Sequence, residues 1–254
     1  NISTCNATAT VTDVNPPVAV CQNITVNLNA AGSATITAAQ IDGGSTDNGS
    51  IVSMTASQTS FTCANLGANN VTLTVTDDGG NSDQCTAVVT VVDNSAPTAV
   101  CHNLTVQLDA SGNTSITAAQ LDGGSTDNCT VASLSASQTA FSCANVGANT
   151  VTLTVADQSG NSSTCNATVT VVDNIMPTIT CPANVVVNND VNQCGAVVNY
   201  IAPVGGDNCA GITITRTAGL ASGSLFPVGT TTVTYQVTDA SGNTAQCSFT
   251  VTVN

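Results

Sequence analysis

Aliphatic and small polar residues alternate along most of this chain. The pattern is clearest at residues 150–157 (TVTLTVAD), 165–173 (CNATVTVVD) and 230–239 (TTTVTYQVTD). Successive side chains of a β-strand point to opposite faces of the sheet, so this alternation predicts strands with one buried face and one exposed face. No apolar run approaches the roughly 18–20 residues that a membrane helix needs. We therefore expect an all-β protein that does not insert into a membrane.

The pattern of strands and turns recurs every 80 residues. The segment ITAAQIDGGSTDN at 36–48 returns as ITAAQLDGGSTDN at 116–128, and Asp207-Asn208-Cys209 continues the same frame. Short strands separated by turns rich in Gly, Asp and Asn are typical of a two-sheet sandwich. The sequence thus predicts tandem immunoglobulin-like β-sandwich domains in an extended rod.

The frame also sets the expected domain limits. Residues 1–15 match residues 81–95, which makes them the final strand of a preceding repeat. Three complete repeats are expected to follow, at 16–95, 96–175 and 176–254. The N-terminal strand is open to two interpretations: it belongs to an upstream repeat, or it completes a sheet in a neighbouring subunit as a donor strand.

The chain contains 12 Cys, no Cys-x-x-Cys motif and a single His, which is a poor inventory for a zinc or redox site. Regular spacing in a strand-rich chain favours disulfides and an oxidising, extracellular compartment. Since four Cys allow three pairings, the connectivity is a hypothesis. The expected outer bridges, from first strand to last, are Cys21–Cys85, Cys101–Cys165 and Cys181–Cys247. The expected inner bridges are Cys129–Cys143 and Cys194–Cys209.

Repeat 1 breaks this cysteine pattern. Gly49 stands where repeat 2 has Cys129, which leaves Cys63 without an obvious partner, and Cys5 also lacks one. A buried free thiol, an inter-chain bridge and a Cys5–Cys63 bridge are the alternatives for Cys63.

The third repeat resembles a known family. Residues 177–254 carry four Cys, the F-P-V-G-T-T-x-V turn and the D-x-S-G-N-x-x-x-C hairpin, and in these they are similar to the hyalin repeat (HYR) module. Repeats 1 and 2 resemble a divergent HYR-like variant of long bacterial surface proteins, with C-A-N-[LV]-G-A-N in place of the first turn. The resemblance implies an immunoglobulin-like fold, a bacterial extracellular or cell-surface location, roles in adhesion or architecture, and no catalytic site.

The charged residues exclude several functions. All 15 acidic residues are Asp, Arg216 is the single basic residue, and the formal net charge is -14. Nucleic acids and anionic lipids need Lys or Arg to neutralise their phosphates, so neither is expected as a partner. With one His, no Glu and no Lys, the chain also lacks the usual groups for general acid–base catalysis. We expect it not to be an enzyme.

The Asp residues fall into three columns of the repeat frame. A sandwich fold would bring the linker of one repeat to the same pole as two turns of the next repeat. Oxygen-only groups of this kind suit Ca²⁺, whereas turn formation by Asp and Asn is the alternative explanation. The nine candidate ligands are Asp13, Asp93 and Asp173 in the linkers, Asp47, Asp127 and Asp207 in the middle turn, and Asp77, Asp157 and Asp239 in the last hairpin.

The sequence thus favours a structural segment of an extracellular stalk or filament, stapled by disulfides and stiffened by Ca²⁺. Its partners would be further copies of itself or adjacent repeats of a longer chain. The alternative is an adhesin segment whose repeats bind a surface glycan or protein.

Overall fold

The computed structural model describes residues 3–254 and confirms an all-β chain of tandem sandwiches. It forms two compact units, one of Asn1–Val100, Gly124–Leu134 and Thr154–Thr164, and one of Cys101–Gly123, Ser135–Leu153 and Cys165–Asn254. The expected domain limits stay a prediction. Of the expected N-terminal strand, residues 1 and 2 lie outside the described residues, and residues 3–15 are largely exposed and form no strand. Within 3–254, no helix is long and apolar enough to cross a membrane.

Repeat 1 contains a four-stranded sheet in the order β1-β6-β5-β3 and a two-stranded sheet of β2 and β4. Strand β1 runs parallel to β6, and β5 forms an antiparallel hairpin with β6. The elements are β1 (Ile24–Asn27), β2 (Ser33–Thr35), α1 (Ala38–Ile41), β3 (Ile51–Ala56), β4 (Ser60–Thr62), a 3-10 helix (Cys63–Asn65), β5 (Gly67–Asp77) and β6 (Ser82–Val92).

Repeat 2 has the same topology, with sheets β7-β12-β11-β9 and β10-β8. Its elements are β7 (Leu104–Gln107), β8 (Asn113–Ser115), a 3-10 helix (Ala118–Gln120), β9 (Val131–Ala136), β10 (Ala140–Ser142), a 3-10 helix (Cys143–Asn145), β11 (Gly147–Asp157) and β12 (Ser162–Val172).

Repeat 3 adds a short two-stranded sheet of β13 and β16 to the sheets β14-β20-β19-β17 and β15-β18. Its strands are β13 (Thr178–Thr180), β14 (Val185–Val187), β15 (Gly195–Val198), β16 (Val204–Gly206), β17 (Thr213–Ala218), β18 (Ser224–Pro227), β19 (Gly229–Thr238) and β20 (Thr244–Val253).

The core follows the alternation seen in the sequence. On β5, Val71, Leu73 and Val75 are fully buried, whereas the intervening Thr side chains are partly exposed. Phe61, on the smaller sheet, packs into the same cluster and is also fully buried. Phe226 is fully buried at the equivalent place in repeat 3. Each sandwich is therefore closed by small aliphatic side chains around an aromatic residue.

The structure has five disulfides, and each of them joins two cysteines of the same compact unit. Three of them are the outer pairs that the sequence predicts, Cys21–Cys85, Cys101–Cys165 and Cys181–Cys247. Each connects positions 64 or 66 residues apart, and in a chain-entropy model closing such a loop removes about 4 kcal/mol of freedom from the unfolded chain.

The predicted inner bridges, Cys129–Cys143 and Cys194–Cys209, are wrong. The structure pairs Cys63 with Cys129 and Cys143 with Cys209, while Cys5 and Cys194 are free and exposed. The interpretation of Cys63 as free or inter-chain is therefore also wrong.

Strand length explains the error. In repeat 3, Cys194 lies beside the start of β19, because its carbonyl accepts the N–H of Val228. Cys209 lies near the other end of β19, since it shortly precedes β17, whose first residue pairs with the last residue of β19. Ten residues of strand span about 33 Å, and a disulfide needs Cα atoms about 4.4–6.8 Å apart. The inner cysteines of one repeat therefore cannot meet, and Cys129 and Cys209 instead bond Cys63 and Cys143 of the preceding repeat.

We predict that the double substitution Cys21→Ser/Cys85→Ser lowers the free energy of unfolding of repeat 1 by about 4 kcal/mol, because the unfolded chain regains loop freedom. Calorimetric unfolding of the full chain measures this. The matched control, Cys194→Ser, removes an exposed free thiol and should change stability by less than about 0.5 kcal/mol. Equal melting profiles for the double variant and the control would contradict the prediction.

Candidate cation sites at the repeat junctions

The last hairpin of each repeat holds the linker that precedes that repeat. In repeat 2, the two carboxylate oxygens of Asp157 accept hydrogen bonds from the backbone N–H and the side-chain amide of Asn161, both at 2.7 Å. The same amide donates to the backbone oxygen of Asp93 at 3.0 Å. Asn243 repeats this arrangement with Asp239 and Asp173. The Asp-x-x-Gly-Asn turn thus positions the linker carboxylate.

The middle turn brings a second carboxylate to the same place. Asp127 Oδ2 accepts the backbone N–H of Cys129 at 2.9 Å, which folds the turn back on itself. The side-chain amide of Asn128 donates to Asp93 Oδ1 at 3.1 Å and to the backbone oxygen of Asn29 at 3.3 Å. Asp93 and Asp127 thus lie close together, with a carboxylate oxygen of each and the Cys129 Sγ all within 4.8 Å of one another. We call this the middle cluster.

The C-terminal cluster consists of Asp173, Asp207 and Asp239, each with a carboxylate oxygen within 4.8 Å of the others. Its hydrogen bonds copy those of the middle cluster: Cys209 N–H donates to Asp207 Oδ2, and the Asn208 amide donates to Asp173 Oδ1. Asp173 and Asp239 are buried.

The N-terminal cluster consists of Asp13, Asp47 and Asp78, again with oxygens within 4.8 Å of one another. Gly49 lies against all three: a Cβ added there would be 3.1 Å from an oxygen of each carboxylate. The Asn48 amide donates to Asp13 Oδ2 at 3.0 Å.

Two of the nine predicted ligands stand apart from these clusters. Asp77 and Asp157 accept hydrogen bonds on both carboxylate oxygens from the Asn of their own turn, as Asp239 does, but of the three Asp239 alone also lies in a cluster. Burial acts to raise the pKa of the Asp77 carboxyl, but hydrogen bonds from Asn81 and from the backbone of Gly79 and Gly80 together hold the pKa below its usual value. Asp78 is a cluster residue outside the predicted set, because it stands where repeats 2 and 3 have Gln158 and Ala240 and so belongs to no Asp column.

Buried oxygen atoms without a hydrogen-bond partner are concentrated at the three clusters. Within residues 3–254, eight buried side-chain atoms lack a partner, and the one outside the clusters and their flanking Asn residues is Ser163 Oγ. Asp93 and Asp173 are each 5% exposed, so these oxygens have little access to water. The other seven atoms are Asp47 Oδ1, Asp93 Oδ2, Asp127 Oδ1, Asn128 Oδ1, Asp173 Oδ2, Asp207 Oδ1 and Asn208 Oδ1.

Chemically, each cluster is a set of oxygen donors with negative charge. The Cys129 and Cys209 sulfurs beside two of the clusters are bound in disulfides and offer no thiolate. A site of this composition fits a hard cation such as Ca²⁺ or Mg²⁺, whereas Zn²⁺ is usually held by His or thiolate.

The fold and the clusters define a disulfide-linked β-sandwich repeat protein, and comparison with known proteins agrees with that class. Residues 172–253 match the HYR domain. The chain is also similar to hyalin of Strongylocentrotus purpuratus, a sea urchin, at 36% identity over an alignment of 203 residues that covers 74% of this chain and 16% of hyalin. The similarity therefore reaches beyond the matched HYR domain but spans a small part of hyalin. Neither match supports the bacterial origin expected from the sequence.

Among solved structures, cadherin ectodomains match this chain with low scores. The protocadherin gamma B4 extracellular domain matches 96% of this chain and 50% of its own, at 18% identity and a TM-score of 0.38. Drosophila N-cadherin EC1-3 matches 93% of this chain and 99% of its own, at 13% identity and a TM-score of 0.34.

We predict that Asn161→Ala lowers the stability of repeat 2 by about 2 kcal/mol, because the Asp157 carboxylate and the Asp93 carbonyl both lose a donor. Asn70→Ala, at an exposed strand position, is the control and should stay within about 0.5 kcal/mol of the unsubstituted chain. Chemical denaturation of both variants measures the difference. Equal stabilities would show that the Asn161 amide does not hold the linker.

Proposed function

We propose that this chain is a structural segment of an extracellular stalk or filament, in which Ca²⁺ ions bind the junction clusters between successive repeats. The observation that carries the proposal is the set of seven buried oxygens without partners at these clusters.

Five disulfides and the HYR match support an extracellular location, because disulfides persist in oxidising compartments. By extension, all three repeats are HYR-like modules and the chain is not an enzyme. Its partners are adjacent repeats of a longer chain or further copies of itself.

Electrostatics supports a bound cation. Two carboxylates about 4.8 Å apart repel each other by about 3 kcal/mol at an effective dielectric constant near 20. The protein supplies no counter-charge, since Arg216 is its single basic residue and donates to the backbone oxygen of Gly219. Neutralisation must then come from solution, and a divalent cation brings two positive charges to the same point.

Turn and linker hydrogen bonds account for only one of the two oxygens of each of these carboxylates. Asp127 folds its turn with Oδ2, and Asp93 orders its linker with Oδ1. The other oxygen of each, Asp127 Oδ1 and Asp93 Oδ2, is buried and accepts nothing from the protein. A buried carboxylate oxygen without a donor is costly, so these two oxygens favour a cation over turn chemistry alone.

Among divalent cations, Ca²⁺ fits best. It accepts six to eight oxygen ligands with tolerant geometry, including carboxylates, Asn side-chain oxygens and backbone carbonyls. Asn128 Oδ1 and Asn208 Oδ1 are further oxygens of this type next to the carboxylates. Mg²⁺ demands stricter octahedral geometry and keeps most of its water.

We predict that chelating Ca²⁺ lowers the melting temperature of the chain and increases bending between repeats, because the carboxylates then repel each other without a counter-ion. Differential scanning calorimetry and small-angle X-ray scattering, with chelator and with added Ca²⁺, measure both effects. An unchanged melt together with an unchanged scattering profile would refute the calcium proposal.

A single substitution separates the two explanations. We predict that Asp207→Asn stabilises the chelated protein, because one repelling charge is removed, and reduces the gain in melting temperature on adding Ca²⁺. Isothermal titration calorimetry should show weaker Ca²⁺ binding for this variant. If Asp207 only forms a turn, the substitution will affect chelated and Ca²⁺-loaded protein equally.

Asp109→Asn is the matched control for charge. Asp109 Oδ1 accepts hydrogen bonds from Ser111 and Asn113 in a turn outside the clusters. Repeat 1 carries Asn29 at this position, and its Oδ1 makes the equivalent hydrogen bonds to Ala31 and Ser33. The same change of charge should therefore leave the Ca²⁺ response intact.

A further inference from the structure

The two bridges between neighbouring repeats follow one rule. The first cysteine, Cys63 or Cys143, lies beside the glycine of the turn before the short second strand of its repeat. A Cβ added to Gly32 would be 2.9 Å from Cys63 Sγ, and one added to Gly112 would be 2.6 Å from Cys143 Sγ. The second cysteine follows an Asp-Asn pair in the next repeat, as Cys129 and Cys209 do.

Repeat 3 has its free cysteine at the same end of the sandwich, on the opposite strand. In repeat 2, the Cys143 N–H donates to the Gly112 carbonyl at 3.1 Å. In repeat 3, the Val228 N–H donates to the Cys194 carbonyl at 3.4 Å. The strand registers agree, because Ser142 faces Asn113 and Pro227 faces Gly195. Val228 thus replaces Cys143, and Cys194 replaces Gly112.

The two replacements are physically coupled. A Cβ at Gly112 would lie 2.6 Å from the Cys143 sulfur and 2.9 Å from the Asn208 carbonyl of the next repeat. A residue larger than glycine therefore faces the Asp-Asn-Cys turn, and it requires that the opposite cysteine be absent and that the turn be displaced. The turn in repeat 3 is one residue longer, running from Asp190 to Gly195 instead of from Asp109 to Asn113. Asn192 takes the left-handed conformation in this turn (φ 60°), as Gly112 does in repeat 2 (φ 73°). The thiol has changed strands and remains at the bridging end.

We propose that Cys194 forms the next bridge of the series, to the cysteine of an Asp-Asn-Cys turn in a following repeat of the same kind. A second copy of this chain does not offer that cysteine in its first repeat, where the turn reads Asp47-Asn48-Gly49. This inference rests on the proposed function in one respect: the following repeat has to come from a longer chain of such repeats.

Bridge formation requires an oxidant. Cys194 and its partner each lose one proton and one electron as the S–S bond forms. A small-molecule disulfide takes up both electrons and both protons and becomes two thiols. Cys194 is exposed, so its thiol is accessible to the small-molecule disulfide and to the partner cysteine.

The test is a fusion in which a copy of residues 93–175 is added directly after Asn254, with the added Cys143 replaced by Ser. The fusion is equilibrated in oxidised and reduced glutathione, alkylated and cut at Asp, because the 15 Asp residues provide sites that the single Arg does not. Mass spectrometry under non-reducing conditions should find most of Cys194 linked to the added Cys129.

Two variants of the fusion are the controls. Cys129→Gly in the added copy reproduces the turn of Gly49 and should leave Cys194 alkylated. Cys194→Gly with Val228→Cys recreates the arrangement of repeat 2 and should form the bridge, which shows that the added repeat is competent. If this second control bridges and Cys194 does not, the proposal is wrong.

Two further readouts complete the test. Disulfide-linked oligomers of the unfused chain joined through Cys194 and Cys5 would also contradict the proposal. The linkage is measured with and without Ca²⁺, so loss of the Ca²⁺ response with an intact bridge would overturn the proposed function alone.

Discussion

Burial of carboxylates beside one another is the constraint on which the rest of the structure depends. In both Asp93 and Asp127, one carboxylate oxygen accepts hydrogen bonds from backbone or amide donors, and the other is buried without a donor. Two carboxylates this close repel each other, so the segments that carry them must be held together by other interactions. The structure provides two of these. The Asn161 amide ties the linker to the hairpin, and the Cys63–Cys129 bridge closes the same place covalently. These links let the fold keep a charged site that a single sandwich would not hold.

Much of the fold could be predicted because its strands obey one rule of alternation. Strand β12 was readable from the sequence, since Val and Thr alternate along it and the buried positions are the apolar ones. Alternation fails after β8, where residues 118–120 form a 3-10 helix instead of continuing the strand. There Thr117 and Gln120 form a capping box, and the Gln120 side chain accepts the Thr117 backbone N–H. Local capping thus outweighs a weak alternation over three residues.

The candidate site could be predicted in outline for a different reason. The Asp columns follow the repeat frame, so a sandwich fold is enough to collect Asp173, Asp207 and Asp239 at one place. The spacing of the repeats does not determine which carboxylate oxygen accepts a hydrogen bond from which donor. Asp77, Asp157 and Asp239 each accept a hydrogen bond from an Asn four residues on, yet of these Asp239 alone joins a cluster. The inner cysteines pair between repeats because strand length decides which ends meet. Both facts depend on three-dimensional distances that a one-dimensional spacing leaves open.

The N-terminal cluster has a third carboxylate where the middle cluster has a disulfide-bonded cysteine. At the middle cluster, the bridge sulfur of Cys129 lies within 4.8 Å of the carboxylate oxygens of Asp93 and Asp127. At the N-terminal cluster, Gly49 replaces that cysteine, and Asp78 brings a third carboxylate within the same distance of the other two. A Cβ at Gly49 would lie 3.1 Å from an oxygen of each carboxylate, so a side chain at this position would crowd all three. Gly49 thus leaves the N-terminal cluster without the disulfide that the middle cluster has in Cys63–Cys129.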